Sequence, residues 1–472
     1  MRYTDWEIND FSGGLVDKID DPHIPENISQ DCFNFFSERM GVLKKRKGQS
    51  RLHQNNLGGF IQGLHPYYDG HLVVSPQFLT VANGIAYKWD GTTMVQIKDE
   101  LSATQVTLFE DCVNYTVAFN GVNIPWKWNG SVVSNLEGAP PDGRYPVLHK
   151  ERLFAVPVTD PSCLKWSEPF QPEEWPAVNY WYIKDGDGDF ITCLTKFVGE
   201  LVIFKRRSIH SLKGSSLDNF RLDEMDDRVG CVGPQGALTV GTSVYFVSDD
   251  GLYVFNGMRA TNISEGKIPV FWSKINKQSI HKATVFAWKD KIWFSLPYED
   301  STVNNIVLVF DPENGSFWPL SGINASCFQI FNDGSSVKFY AGDSTEGFVN
   351  QMDVGDDDFG DPISAHWVGK TFDMGKASYL KKAKRAFVEQ SPYDDNVPDL
   401  QLSLDYGDYN SVNLERDDGL VKQYRVYGIN RWRYITPKLL HNEAGSCEVR
   451  SILIPFKPKH KPKVQGSQVV EK

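Results

Sequence analysis

Nothing in this sequence is spaced to hold a metal ion or a disulfide framework. The seven cysteines, Cys32, Cys112, Cys163, Cys193, Cys231, Cys327 and Cys447, are odd in number, far apart, and form no CxxC pair. They read as buried, reduced thiols. No histidines cluster with them at zinc-ligand spacing. Long apolar runs are missing as well, so no membrane-spanning segment is expected. The opening Met1-Arg2-Tyr3-Thr4-Asp5-Trp6 does not resemble a signal peptide, and the expectation is assembly in a cytoplasm. Positive charge is also short: 49 Lys and Arg stand against 60 Asp and Glu, a formal charge of −11. Broad gripping of nucleic acid needs cations to neutralise phosphates. An acidic wall instead lets a duplex slide without sticking.

Enzyme signatures are equally scarce. No Gly-x-Ser-x-Gly elbow, P-loop, dinucleotide fingerprint or His-Glu-x-x-His segment occurs. Asp185-Gly186-Asp187-Gly188-Asp189 opens like a calcium loop, but the sixth and twelfth positions are Phe190 and Lys196 where Gly and Glu are needed. A turn is the better reading. Asp311 to Trp318 loosely resembles the Asp-box turn of sialidases with the wrong Asp-to-Gly spacing. No catalytic residue, metal or cofactor is therefore expected.

What the chain does have is turns and short strands. At 472 residues, 41% hydrophobic and 23% charged, it falls in the globular range, with room for roughly two or three domains. Its 39 Gly and 25 Pro are scattered among 13% aromatics, which suits a mainly β fold. A theme of aromatic, Asp or Asn, then Gly recurs at Tyr87–Gly91, Trp126–Gly130 and Tyr253–Gly257, and more loosely at Val309–Gly315. Each predicts a hairpin of type I′. Strand-like runs such as Arg152–Val156, Leu201–Phe204, Ser243–Val247 and Lys291–Leu296 lie between them. Repeats of about 45–50 residues over positions 52–350 predict a β-propeller of about six blades, with five or seven as alternatives.

Before this region, residues 1–51 read as an N-terminal arm. After the acidic stretch Asp353–Pro362, alternating strands over 362–456 predict a β-sandwich. Residues 457–472 read as a flexible basic tail. Three basic runs are candidates for contact with DNA or a neighbouring subunit: Lys44, Lys45, Arg46 and Lys47; Lys205, Arg206 and Arg207; and Lys381, Lys382, Lys384 and Arg385. For each, the plainer reading is a solvated or salt-bridged strand end.

The order of several phrases resembles a known family. Phe11-Ser12-Gly13-Gly14 is followed by Gly41 to Gly48, then by Leu164-Lys165-Trp166-Ser167-Glu168-Pro169 and Pro172-Glu173-Glu174-Trp175. Next come Asp185 to Asp189, Leu201 to Ile209, Val229-Gly230-Cys231, and Ser248-Asp249-Asp250-Gly251-Leu252-Tyr253. This sequence of elements resembles the tail hub, nozzle or packaged-DNA stabilisation proteins of short-tailed bacteriophages. The resemblance implies a virion structural protein assembled in the host cytoplasm. It implies a homohexameric ring below the portal–adaptor complex, near a needle, plug, or tail fibres or spikes. Such a ring continues the channel for double-stranded DNA without reading its sequence, retains the packaged DNA and allows its ejection. A carbohydrate- or receptor-binding propeller is the second reading, and a glycosidase the third.

Overall fold

The computed structural model describes residues 3–18, 25–37, 41–69, 76–112, 114–375, 377–391, 396–426 and 431–459. The chain forms two compact units, one of Gln49–Pro312 with Ser321–Gly355, the other of Met1–Gly48, Glu313–Leu320 and Asp356–Lys472.

The first unit is propeller-like. Among the described residues seven antiparallel sheets follow one another, with first strands Ile61–Tyr67, Leu108–Cys112, Gly143–His149, Ile191–Phe197, Ala237–Val240, Thr284–Trp288 and Ala325–Asn332. Each first strand lies beside that of the next sheet, and the seventh returns to the first. The ring is closed by Gln49–Arg51, which pairs with Val349–Met352 as the fourth strand of the seventh sheet. Seven sheets stand where about six repeats were expected. Their first strands begin 35 to 48 residues apart; most steps match the assumed repeat of about 45–50 residues, but two are shorter, and the last sheet takes one strand from the start of the unit.

The middle strands explain the apolar runs. Arg152–Pro157 and Ile306–Asp311 are buried at every position, because each sheet has a neighbour on both faces. Successive sheets share one core: Phe154, Trp166, Leu201, Ile203 and Phe220 fill the space between the third and fourth. Phe204 and Phe246 meet at 5.0 Å between the fourth and fifth. Truncating a ring such as Phe154, wholly buried, costs about 3–5 kcal/mol.

The predicted hairpins form, with a different turn. Trp89 pairs with Met94, Trp128 with Val133 and Phe255 with Ala260, so each loop has four residues. The leading Asp90, Asn129 or Asn256 accepts two backbone N–H bonds from two and three residues ahead, at 2.8–3.0 Å. Only the glycine takes positive φ, 98° at Gly91 and 92° at Gly130. A type I′ turn needs two such residues. Here the side-chain carboxyl or amide oxygen organises the bend instead.

The second unit corrects the expected arm. One sheet runs Phe35–Phe36, Leu43–Lys45, Glu448–Leu453, Arg385–Gln390, Val421–Arg425 and Asn413–Asp417, with Glu7–Ile8 also on Glu448–Leu453. Another runs Gly14–Leu15, Ile28–Phe33, Ala365–Gly369, Ile435–His441, Asp399–Leu404 and Asn410–Ser411. The described residues before Gly48 are thus no free arm, since their strands are built into both sheets beside C-terminal partners, and Gln49–Arg51 is a strand of the first unit. Phe11 packs edge-on to Trp367 at 5.1 Å, and both are fully buried. The acidic stretch after 353 is likewise no open linker: Asp357–Asp358 and Asp361–Pro362 form a small hairpin. The start of the expected tail is ordered, with Phe456–Pro458 paired to Lys381–Ala383. Residues 460–472 lie outside the described residues.

Candidate functional site

The basic runs follow the plainer reading in part: Arg46, Lys47, Lys205, Arg206 and Arg385 are salt-bridged, but Lys45, Lys205 and Lys381 are buried and not solvated. Lys205 closes the strand Glu200–Lys205 and is fully buried. Its Nζ donates to the carbonyls of Ile183 and Lys184 at 3.2 and 3.0 Å and to Asp187 Oδ1 at 2.6 Å. Asp189 accepts the backbone N–H of Arg206 at 3.2 Å and of Arg207 at 2.9 Å. The carboxylates that look like calcium ligands are therefore engaged by a lysine and two amides. Burial pushes the Asp187 pKa up, but the Lys205 bond and the Asp189 N–H outweigh it and hold the group below its ordinary range. Among the described residues no group of three or more His, Cys, Asp or Glu could hold a metal ion.

Further phrases join the same node. Arg206 makes a two-pronged bond to Asp249, at 2.8 and 2.6 Å, which raises its pKa. Cys231 N–H donates to the Lys205 carbonyl at 3.0 Å. A Cβ on Gly230 would stand 2.0 Å from that oxygen, so the contact requires glycine at this position. Thr192 ties the node to the next sheet, donating to the Cys231 carbonyl at 2.8 Å. Only the exposed Arg207 presents its side chain outward.

The run at 44–47 is also mostly inward. Lys45 is buried and donates to His441 Nδ1 at 3.1 Å and to the Glu443 carbonyl at 2.9 Å. Burial lowers the Lys45 pKa. Burial, then the Lys45 charge, pushes His441 down to about 4, so the imidazole is neutral and accepts. Arg46 forms a fork with Asp358 and donates to Asn34 at 3.0 Å. Lys47 reaches Asp356 at 2.7 Å. The acidic partner of this run is the chain's own stretch after residue 355. Lys44, half-buried, sits in the same strand. In the third run Lys381 is fully buried and donates to the carbonyls of Tyr379 and Arg433 at 3.2 and 2.8 Å, and burial lowers its pKa. Lys382 is half-buried, Lys384 is exposed, and Arg385 meets Glu415 at 3.5 Å on the surface.

The sequence did not reveal a cavity of about 510 Å³ at the end of the ring where the first strands begin. Every sheet or the loop before it contributes, through Phe60, Val106, Arg144, Thr192, Pro234, Ala283 and Ser326. Local irregularity shapes it. The first strands of the first, third, fourth and seventh sheets each carry a β-bulge near this end, a device that re-aims side chains. The bulged residues include Tyr145, Thr192 and Ser326, which line the cavity. Tyr145 is held at φ 59°, a strained conformation for a non-glycine residue. Other bulge side chains tie sheet to sheet: Gln62 donates to the Ser102 carbonyl at 2.6 Å, and Ser326 to the carbonyls of Ile61 and Gly342. No local sequence signal marks this site, because each wall residue comes from a different repeat.

Comparison with known proteins gives no family. No family model matches the chain, and no curated protein matches it. Among solved structures, the computationally designed Ika8 protein aligns at 13% identity over 65% of this chain and 100% of its own, with a TM-score of 0.43. BBS1N, solved in complex with ARL6DN, aligns at 8% identity over 65% of this chain and 97% of its own, TM-score 0.44. The AfRom2 CNH domain aligns at 11% identity over 65% and 99%, TM-score 0.42.

Proposed function

We propose that this chain is a non-enzymatic virion component, a hub or nozzle subunit of a short-tailed phage tail. In this reading it is built on a seven-bladed propeller closed by Gln49–Arg51, with a sandwich made from both ends of the chain. One observation carries the reading. Four of the eight phrases in that order meet at one place: Asp187 and Asp189, Lys205 to Arg207, Gly230-Cys231 and Asp249 are joined by hydrogen bonds around the buried Lys205 and its neighbour Arg206. These four phrases, of residues 185–253, form one hydrogen-bonded cluster, which supports reading them as parts of one device. Its chemistry is structural, since its charges are engaged within the chain.

A rigid, cross-tied ring of sheets suits a wedge in a larger ring, where two different flanks of each subunit must meet. The reading has the hexamer sit below the portal–adaptor complex, pass DNA without reading it, and leave the exposed Arg207, Lys384 and Arg385 for contact with DNA or a neighbour. The test is co-sedimentation of the purified chain with a portal–adaptor complex. Stoichiometric association is expected, and its absence at micromolar concentration counts against the proposal. A carbohydrate-binding alternative has one feature in its favour: Tyr180, Trp181 and Tyr182 are all exposed on the outer strand of the third sheet, where sugar rings could stack. Retention on a glycan surface, lost in Trp181→Ser, would favour that alternative.

A further inference from the structure

From the cavity at the end of the ring we infer a binding site for a small organic anion with an apolar body. A volume of about 510 Å³ lies within the range of ligand pockets. The charge of its wall is the reverse of the charge of the chain. Although acidic residues outnumber basic ones by 60 to 49, no Asp or Glu among the described residues lines this cavity, while Arg144, His281 and Lys282 do. Burial lowers the His281 pKa, and Lys282 is engaged with the Thr302 carbonyl at 2.7 Å. Arg144 is the remaining cation.

Arg144 is unlike the other shielded arginines of this unit. Arg152 meets Glu168 and Arg206 meets Asp249. Arg144 has no carboxylate partner among the described residues; its Nε is buried without an acceptor, and its guanidinium lies 4.8 Å from the centre of the Tyr145 ring. The bulge at 144–147 sets this pair in the wall. Arg144 lines the cavity and is only partly buried, so a carboxylate entering the cavity can take two parallel bonds from its guanidinium. Beside it the wall is apolar, with Phe60, Leu108, Phe119, Val232 and Val303. A carboxylate on a flat apolar body matches this arrangement.

The experiment is calorimetric titration of the full chain with indole-3-acetate, indole-3-acetamide and inorganic phosphate at neutral pH. Indole-3-acetate should bind saturably, one per chain. The neutral amide and phosphate alone should each bind at least about tenfold more weakly, the scale of one charge-assisted bond or of the apolar body. Arg144→Gln should abolish the preference for the anion over the amide, and Arg207→Gln should keep it. Equal binding of anion and amide by the unaltered chain overturns the inference without any variant. So does phosphate binding as tightly as indole-3-acetate, or no binding of any probe up to millimolar concentration.

Discussion

Replacing Asp187 with Asn should destabilise the propeller-like unit through a residue it barely touches in sequence. Lys205 is wholly buried, and its ammonium has two neutral carbonyls and one carboxylate as acceptors. Removing one member of a buried pair costs about 3–5 kcal/mol, because the remaining charge stays uncompensated. Asp187 itself is 24% exposed, so water relieves part of the loss, and about 2–3 kcal/mol is the expected cost. In urea that lowers the midpoint by roughly 1 M at the slopes usual for a domain. Tryptophan fluorescence can follow the transition, since Trp166 lies in the neighbouring core. Lys205→Met combined with Asp187→Asn should cost less than the two single changes added together, by about 1–3 kcal/mol. A midpoint shift under roughly 0.2 M for Asp187→Asn, or strict additivity in the double variant, would refute the reasoning.

Other expectations follow from the same packing. His149 and His441 are each pushed down to about 4 by burial. The unfolded chain takes up their protons first, so stability is fully present above about pH 6.5 and falls as pH drops from there towards 4; urea midpoints across that window should decrease, and a flat profile contradicts the assignment. Gly48→Ala puts a Cβ 1.7 Å from the Asp357 carbonyl oxygen and should cost roughly 3 kcal/mol, read by thermal unfolding, with an unchanged melting temperature as the contrary result. Millimolar calcium should leave the melting temperature unchanged, because Asp187 and Asp189 are engaged by Lys205, Arg206 and Arg207; a rise of several degrees would mean that the loop takes a metal after all.

Much of the repeat was legible because its signals are local. Asp90-Gly91, Asn129-Gly130 and Asn256-Gly257 each carry their own bend in two adjacent residues, and central strands such as Arg152–Pro157 announce themselves by continuous burial. The seventh sheet was hidden because its fourth strand, Gln49–Arg51, is three residues long, has no alternation, and pairs with residues 300 positions away. The chain start looked like an arm for the same reason: its strands are two to six residues long, and Ser29 finds its register only opposite Gly369. Basic runs looked like surface because the sequence shows charge and not the partner. Arg46 is buried only because Asp358 folds back onto it. The cavity left no trace, since Arg144 and Asn304 are ordinary residues until the ring brings them to one wall.

The proposed role requires this chain to be a ring-forming structural subunit. Mass photometry of the purified full-length chain, with and without a portal–adaptor complex, tests that most directly. A closed species of six copies is expected, alone or on the adaptor. A monomer that persists at micromolar concentration in both conditions would contradict it.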